Sequence, residues 1–172
     1  MYNPTISIIC ALSDNRVIGN KNKIPWHIKE DLIRFKQKTI GHTVIMGRTT
    51  FDSMMGYYQR SGRPIPERRH IIVSREQKFL FPTTYPNCYV AQSIDEALQK
   101  AKEIEPEEVF ISGGASIFKQ TIDKADRLYL TLVHGKFVGD TYFPDYSMFT
   151  KVLAQEDRST GDIHYTFLDL SR

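Results

Sequence analysis

Strand-like and helix-like segments alternate along most of this chain, and this order restricts the fold more than any other sequence feature. The apolar, β-rich runs of this alternating part lie at residues 5–12, 43–46, 70–73, 88–91 and 109–111. After Arg127 the pattern changes, and residues 128–133, 150–156 and 164–170 follow one another as strands without helices between them. The sequence therefore predicts one α/β domain over residues 1–172, with a mostly parallel central sheet, an antiparallel C-terminal edge and helices on both faces.

The segments between the strands carry helix and loop signals. In chain order they are a loop over 14–23, a helix over 24–39 with Pro25 in its first turn, a short helix over 48–54, a loop over 55–66 rich in Gly, Pro, Tyr and Arg, a helix from the Ser93 capping box to Glu103, and a helix from about Ser116.

Composition is typical of a globular protein and excludes several classes. Of 172 residues, 41% are hydrophobic and 25% charged, which argues against disorder. The net charge of +3 lacks the basic, aromatic-interleaved runs of a nucleic-acid-binding protein. With no long apolar run and no signal peptide, we expect no membrane association and a cytoplasmic protein.

Cysteine and histidine usage gives no sign of a metal site. The five histidines are scattered without the spacing of metal ligands, so no metal is expected. Cys10 and Cys88 sit in apolar or β-rich stretches without CxxC spacing. They are interpreted as small core residues in a reducing compartment, and a disulfide between them stays an alternative.

Asp31 is a carboxylate on the apolar side of the predicted first helix. Helical spacing aligns it with Ile28, Leu32 and Phe35 on one face. An unpaired charge in an apolar site costs roughly several kcal/mol, and no lysine or arginine is spaced to pair with Asp31 on its own face. Asp31 therefore has a partner elsewhere in the protein, or it binds a ligand that donates hydrogen bonds in pairs.

Three strand ends carry residues suited to phosphate binding. Gly113-Gly114 follows the strand at 109–111, Gly47-Arg48-Thr49-Thr50 follows 43–46, and Ser74-Arg75 follows 70–73. Gly113-Gly114 alone is equally consistent with a tight turn, and either arginine alone is more often a solvated surface charge, but ligands of open α/β sheets bind where such ends meet. Together they predict a dinucleotide site without a GxGxxG fingerprint, and the extra cation at Arg75 favours NADPH over NADH.

The sequence resembles dihydrofolate reductases over nearly its whole length. The matching segments are Ile9-Cys10-Ala11-Leu12, Arg16-Val17-Ile18-Gly19, Ile24-Pro25-Trp26 with Asp31 and Phe35, Val44-Ile45-Met46-Gly47-Arg48, Arg63-Pro64-Ile65-Pro66 with Arg68, Ser112-Gly113-Gly114-Ala115, and Gly139-Asp140-Thr141-Tyr142-Phe143-Pro144. No single segment is decisive, but their joint occurrence in this order is highly specific.

The resemblance implies NADPH-dependent reduction of 7,8-dihydrofolate to tetrahydrofolate in one-carbon metabolism, and sensitivity to antifolate inhibitors. It implies that Asp31 hydrogen-bonds the amino-pyrimidine edge of the pterin and promotes protonation of N5, with a water near Trp26 as the immediate donor. Thr131 would orient Asp31, although without the resemblance it is interpreted as an ordinary strand threonine. A reductase of this size is expected to work as a monomer.

The resemblance also assigns binding residues. For the substrate these are Ile9, Phe35, Ile65, Arg68, Ser112, Phe118 and Thr131 beside Asp31, with Arg68 as the clamp for the glutamate α-carboxylate. For the cofactor they are Ala11, Ile18 and Gly19 at the nicotinamide, Arg48, Thr49 and Thr50 at phosphates, Ser74 and Arg75 at the 2′-phosphate, and Gly113, Gly114, Ala115, Ser116, Ile117 and Phe118 at the pyrophosphate. Residues 19–24 resemble the family's mobile lid, and the family's Gly-Gly bond is cis.

The chain departs from the family pattern in a few places. Residues 55–61 are longer than the corresponding turn in shorter bacterial members, and Tyr57, Tyr58 or Arg60 there is hypothesised to modulate binding of the glutamate tail, against the alternative of an insertion without function. Phe118 lacks the hydroxyl that a tyrosine supplies in some members. Two other functions stay open from the sequence: an NADPH-dependent reductase of riboflavin biosynthesis, and a pterin- or nucleotide-binding protein without turnover.

Overall fold

Short runs of isoleucine, valine and other apolar residues form the central strands, which are buried on both faces. The computed structural model describes residues 1–76 and 87–172. Its strands are β1 Thr5–Ser13, β2 Val17–Gly19, β3 Thr43–Gly47, β4 Arg69–Val73, β5 Cys88–Ala91, β6 Glu108–Ile111, β7 Arg127–Val133, β8 Thr141–Tyr142, β9 Lys151–Thr160 and β10 Ile163–Ser171.

Within the described residues, eight of these strands form one sheet in the order β5-β4-β3-β6-β1-β7-β10-β9. The pairs from β5 through to β7 are all parallel. Strand β10 pairs antiparallel with both β7 and β9, and β2 forms a separate antiparallel pair with β8. The predicted fold class, a mostly parallel α/β sheet with an antiparallel C-terminal edge, is confirmed.

Helices cover both faces of this sheet. They are α1 Lys29–Thr39, α2 Arg48–Ser61, α3 Ile94–Ile104 and α4 Ala115–Thr121, followed by a short 3₁₀ helix, Ile122–Lys124. Strand alternation divides the core: Val44 and Met46 pack with apolar residues of α1 and α2, whereas Ile45 packs with those of α3 and α4. None of the helices in the described ranges is long and apolar enough to span a membrane.

The largest error in the sequence prediction is the loop expected over 55–66. Helix α2 continues through this segment to Ser61 and ends at Gly62, whose φ of +63° is the left-handed conformation common after helices. Gly56 and the tyrosines beside it are poor helix formers, but tertiary packing outweighs their propensity. Phe51 and Met55 are spaced by one helical turn and are buried in the core under α2. That spacing was the signal for the longer helix.

Three smaller boundaries also differ from the prediction. Helix α1 begins at Lys29, so Pro25 lies four residues before it rather than in its first turn. The loop predicted over 14–23 contains the short strand β2, and strand β9 continues to Thr160 rather than ending at Glu156. Strand β2 forms by pairing with the distant β8, which local patterns do not report, whereas the end of β9 pairs with β10 across a short hairpin turn.

Other local predictions agree with the structure. The Ser93 hydroxyl accepts a hydrogen bond from the Glu96 N–H at 3.1 Å and caps α3, as expected. The Glu96 carboxylate reaches back to the N–H of Gln92 at 2.8 Å. Cys10 and Cys88 are both free thiols.

Glu105 is a buried carboxylate that fixes the starts of two parallel strands. It accepts hydrogen bonds from the Thr43 N–H and from the Arg69 guanidinium, each at 2.8 Å, and from the Glu107 N–H at 3.2 Å. Only 1% of Glu105 is exposed. Burial raises its pKa, but the hydrogen bonds from Arg69, Glu107 and Thr43 outweigh burial and hold the pKa below its usual range.

We expect Glu105→Gln to lower the free energy of unfolding by about 2–3 kcal/mol at neutral pH, because the amide leaves Arg69 and the strand N–H groups poorly paired. A carboxylate with a lowered folded-state pKa stabilises the protein above its unfolded-state pKa and loses this contribution as the pH falls toward the folded-state value. The difference between wild type and variant should therefore shrink in urea unfolding at about pH 4. Glu103→Gln, an exposed change on α3, is the control, and an equal difference at both pH values would contradict a role for the charge.

Candidate active site

The site begins where helix α1 meets strand β7. Asp31 lies in the first turn of α1, and the Thr131 hydroxyl of β7 donates a hydrogen bond to Asp31 Oδ1 at 2.5 Å. Thr131 is 1% exposed and stands opposite Ala11 of β1 in the parallel ladder. The structure thus brings together a helix carboxylate and a strand hydroxyl 100 residues apart in sequence.

The surroundings of Asp31 change its acidity. Burial raises the pKa of this carboxyl, while the Thr131 hydrogen bond and the positive charge of Arg34 lower it, and the net shift is upward. The neighbouring Cys10 thiol on β1 has its pKa raised by its own burial and by the Asp31 charge. Asp31 is therefore a half-buried carboxyl that holds a proton more readily than an exposed aspartate does.

Arg34 is a charged neighbour that sequence spacing did not identify. It lies one turn after Asp31, but its guanidinium pairs with Asp169 of β10 and donates to the Leu130 carbonyl at 3.3 Å. Arg34 does not pair with Asp31, in agreement with the expectation that no lysine or arginine on this face does so, but its positive charge lies close enough to lower the pKa of Asp31. The other expected apolar position of this face, Leu32, is 45% exposed, whereas Ile28 is buried.

Trp26 lies three residues before α1 and is buried. Its indole is 8% exposed and packs edge-on against Phe137, with ring centroids 5.0 Å apart. The buried indole N–H has no hydrogen-bond partner among the protein groups of residues 1–76 and 87–172. A buried donor of this kind is suited to a bound water or a polar ligand atom.

Phe35 and Arg68 form a second wall. The Arg68 guanidinium is 3% exposed, and its Cζ lies 4.9 Å from the centroid of the Phe35 ring. Phe35 packs with Ile65 and Ile9 in the core cluster under α2. His70 nearby is buried, and burial together with the Arg68 charge lowers its pKa to about 4, so its imidazole is neutral at physiological pH.

The predicted phosphate-binding turns are adjacent. The Gly47 N–H donates to the Gly113 carbonyl at 2.8 Å, the Gly113–Gly114 peptide is cis, and Gly113 has a φ of +116°. A Cβ on Gly113 would lie 3.3 Å from Phe118 Cζ, and one on Gly47 would lie 3.3 Å from Ile117 Cγ1. The two turns therefore form a narrow backbone cradle, in which a side chain at either glycine would be tightly packed and one at Gly113 would also be strained by its positive φ.

Arg48 and the Ser74 turn also lie together, because β3 and β4 pair up to Gly47 and Val73. The Arg48 guanidinium donates to Glu76 at 2.7 Å and to Asp52 at 3.2 Å. Ser74 is 8% exposed, and its hydroxyl accepts from the Glu76 N–H at 3.2 Å. Glu76 is a residue of this corner that the sequence analysis did not select.

Residues 19–24 are held at two points by the segment before β8. The Asp140 N–H donates to the Gly19 carbonyl at 3.1 Å, and the Lys21 N–H donates to Asp140 Oδ2 at 2.9 Å. The hydrogen bond from the Lys21 N–H, followed by that from the Thr141 hydroxyl, lowers the pKa of the Asp140 carboxyl. A Cβ on Gly139 would fall 2.3 Å from Val17 Cγ1, so only glycine permits this approach.

The remaining predicted residues are distributed around these features. Ser112 directly follows the end of β6, and Ile9 lies in the middle of β1, one residue after the pair that Ile8 forms with Ile111, so the two are neighbours across the β1–β6 ladder. Phe118 is 3% exposed and packs against Phe143 at 5.1 Å, which makes its side chain a core residue. The others lie in β1, in β2 or in the first turns of α2 and α4: Ala11, Ile18, Thr49, Thr50, Ala115, Ser116 and Ile117. The described residues contain no cluster of His, Cys, Asp and Glu that could hold a metal ion.

Comparison with known proteins gives consistent matches. The family model for dihydrofolate reductase matches residues 5–172. Curated relatives named dihydrofolate reductase include those of Bacillus subtilis, 38% identical over 91% of this chain and 86% of the relative, and Staphylococcus aureus, 37% identical over 98% of each. A solved structure of dihydrofolate reductase from Enterococcus faecalis, complexed with NADP(H) and RAB-propyl, has a TM-score of 0.81 at 30% identity, covering 99% of this chain and 98% of that one.

We expect Thr131→Val to raise the pKa of Asp31 further, because the hydrogen bond that favours the charged carboxylate is lost. The variant should also lose about 1–3 kcal/mol of stability. The pKa is measured by NMR titration of the aspartate side-chain carbons. Thr131→Ser keeps the hydroxyl and should leave the pKa near that of wild type, and an unchanged pKa in Thr131→Val would mean that this hydrogen bond does not control Asp31.

Proposed function

The chain belongs to the dihydrofolate reductase family, and from this premise we propose how its residues carry out NADPH-dependent reduction of 7,8-dihydrofolate to 5,6,7,8-tetrahydrofolate. The observation that carries the proposal is the half-buried Asp31, which accepts a hydrogen bond from Thr131 and lies one helical turn before Phe35. The family match also decides against a reductase of riboflavin biosynthesis, and it identifies an NADP-dependent oxidoreductase rather than a silent binding protein.

Asp31 is proposed to bind the amino-pyrimidine edge of the pterin and to promote protonation at N5. A carboxylate accepts two parallel N–H bonds from such an edge, and its charge favours a protonated ring. Thr131 donates to Oδ1 and so fixes the carboxylate plane. The raised pKa of Asp31 brings its proton affinity closer to that needed near neutral pH.

Trp26 is proposed to hold the water that delivers the proton. Its indole N–H is buried beside Phe137 and has no partner within the described protein residues. Burial keeps this donor out of bulk solvent, so one ordered water there would be held by specific hydrogen bonds.

Substrate binding is proposed to use both walls of the site. Phe35 and Ile65 would contact the ring system, and Ile9 in β1 and Ser112 just after the neighbouring β6 would offer backbone carbonyls to the pterin. Arg68 would clamp the glutamate α-carboxylate in a bidentate manner, because its guanidinium is already ordered against Phe35. The same Asp31 edge recognition would bind antifolates that present an amino-pyrimidine.

NADPH supplies, when bound, the hydride that C6 of the substrate receives. The backbone cradle at Gly47 and Gly113 fits a pyrophosphate, since a Cβ at either glycine would contact Ile117 or Phe118. Residues 113–118 would hold the pyrophosphate, Arg48, Thr49 and Thr50 would bind phosphates, and Ser74 with Arg75 would bind the 2′-phosphate. Ala11, Ile18 and Gly19 would line the nicotinamide pocket.

Residues 19–24 are proposed to act as the lid that excludes water from the reacting atoms. Their two backbone contacts with Asp140 hold them against the segment before β8. We also propose that the enzyme works in the cytoplasm as a monomer, as is expected of a compact reductase of 172 residues.

We keep the hypothesis that Tyr57, Tyr58 or Arg60 modulates binding of the glutamate tail, and the structure gives the arrangement of these residues. These residues form the end of α2 rather than a loop, with the rings of Tyr57 and Tyr58 edge-to-face at 5.3 Å. Arg63, after the helix, donates to the Tyr57 hydroxyl at 3.4 Å.

For Asp31→Asn we expect a fall in turnover of about a hundredfold or more at neutral pH, because the amide no longer favours a protonated pterin. Activity should partly recover at low pH, where the substrate is protonated in solution. The measurement is the loss of NADPH absorbance on adding 7,8-dihydrofolate. Glu30→Gln changes the adjacent carboxylate and serves as the matched control. Wild-type turnover in a folded Asp31→Asn variant would remove Asp31 from the proposed mechanism.

For Arg75→Ala we expect kcat/KM with NADPH to fall about tenfold or more, with little change for NADH, because a charge-assisted contact to the 2′-phosphate is lost. Both cofactors are assayed at saturating dihydrofolate. Arg158→Ala on β9, where the arginine pairs with Glu156, is the control for loss of a surface charge. An unchanged ratio between the two cofactors would assign the discrimination to Arg48 or Ser74.

A further inference from the structure

We propose that Glu76 sets the cofactor specificity of this enzyme by competing with the 2′-phosphate of NADPH for Arg48. This inference rests on the proposed function and narrows the phosphate assigned to Arg48 to the 2′-phosphate, because Arg48 contacts Glu76 in the turn that holds Ser74. Glu76 would weaken the preference for NADPH over NADH that Arg48 and Arg75 create.

The first observation is the contact itself. Glu76 Oε2 lies 2.7 Å from Arg48 Nη1, across 28 residues of sequence, and joins the turn after β4 to the start of α2. The Glu76 carboxylate is 73% exposed and the Arg48 side chain 39% exposed, so the pair is open to solvent and to a ligand. The Glu76 carboxylate thus contacts the Arg48 guanidinium at the place where a phosphate group of the cofactor is expected.

The second observation is that Glu76 belongs to the turn that holds Ser74. The Glu76 N–H donates to the Ser74 hydroxyl at 3.2 Å, and the Ser74 N–H donates to the Ala91 carbonyl at 2.9 Å. The backbone of the turn is therefore tied to the end of β5. The turn consequently presents a hydroxyl, a cation and an anion together to the group on the ribose 2′ position of a bound cofactor. These come from Ser74, Arg75 and Glu76.

The negative charge of Glu76 has opposite effects on the binding of the two cofactors. A 2′-phosphate carries close to two negative charges, so Glu76 repels it and must release Arg48 before the phosphate binds. A ribose 2′-hydroxyl, in contrast, is a donor that an acidic residue accepts, which is the usual recognition of NAD. One carboxylate therefore disfavours NADPH and favours NADH at the same site.

Asp52 provides the internal comparison. It also contacts Arg48, at 3.2 Å, but it lies one turn along α2 and forms a helical i, i+4 pair with the arginine. The Asp52 carboxylate therefore partly offsets the positive charge of Arg48, but Asp52 does not belong to the Ser74 turn. If the position of the carboxylate matters, Glu76 should have a strong effect on the preference between NADPH and NADH, and Asp52 a weak one.

The test compares binding to wild type, Glu76→Gln and Asp52→Asn by calorimetry and by quenching of protein fluorescence. The probes are NADPH, NADH and adenosine 2′,5′-bisphosphate, which carries the 2′-phosphate without the nicotinamide. Glutamine keeps the size of Glu76 and removes its charge. We expect Glu76→Gln to bind NADPH and the bisphosphate about fivefold or more tightly, with NADH binding unchanged or weaker. Asp52→Asn should change each affinity less than about twofold.

Three outcomes would overturn the inference while leaving the proposed function in place. They are no gain in Glu76→Gln, an equal gain for NADPH and NADH, and a gain in Asp52→Asn as large as that in Glu76→Gln. An equal gain for both cofactors would place the Glu76 charge near a phosphate they share. Folded wild-type protein that binds neither NADPH nor the bisphosphate would overturn the proposed function, and this inference with it.

Discussion

Parallel pairing of β3, β6, β1 and β7 is the constraint on which the rest of the site depends. Parallel strands end at the same edge of a sheet, so the turns after Gly47 and Ile111 must lie side by side. The hydrogen bond from Gly47 to Gly113 shows how closely they meet. The same ladder sets Thr131 opposite Ala11, where the hydroxyl reaches Asp31.

The charges of the site follow one physical rule, which is that burial raises the cost of a charge unless a partner compensates for it. Asp31 is half-buried with a hydroxyl partner, and its pKa is raised. His70 is buried beside Arg68 and stays neutral. Arg48 is more exposed and keeps two carboxylates beside it. Strong shifts thus occur at the proposed substrate wall, while the proposed cofactor corner depends on exposed charges that a ligand rearranges.

Several elements of fold and site were predictable from residues alone. Apolar strands, the Ser93 cap and the glycines after two strands are local signals, and the structure has each of them at the expected place. Residues 55–61 were wrongly expected to be a loop, because glycine and tyrosine are weak helix formers whereas Met55 is buried by tertiary packing. Arg34 and Glu76 were missed since their importance comes from partners on other elements, Asp169 and Arg48.

The sequence by itself determined the α/β class, the family and the residue types available for catalysis, because periodicity and motifs are local properties of the chain. Only the tertiary structure decided which of these residues meet. It placed the Thr131 hydroxyl on Asp31, packed Arg68 against Phe35 and set Glu76 on Arg48. Such pairings depend on strand register and helix packing, and a pKa depends on the burial and fields that these create. No local pattern contains that information.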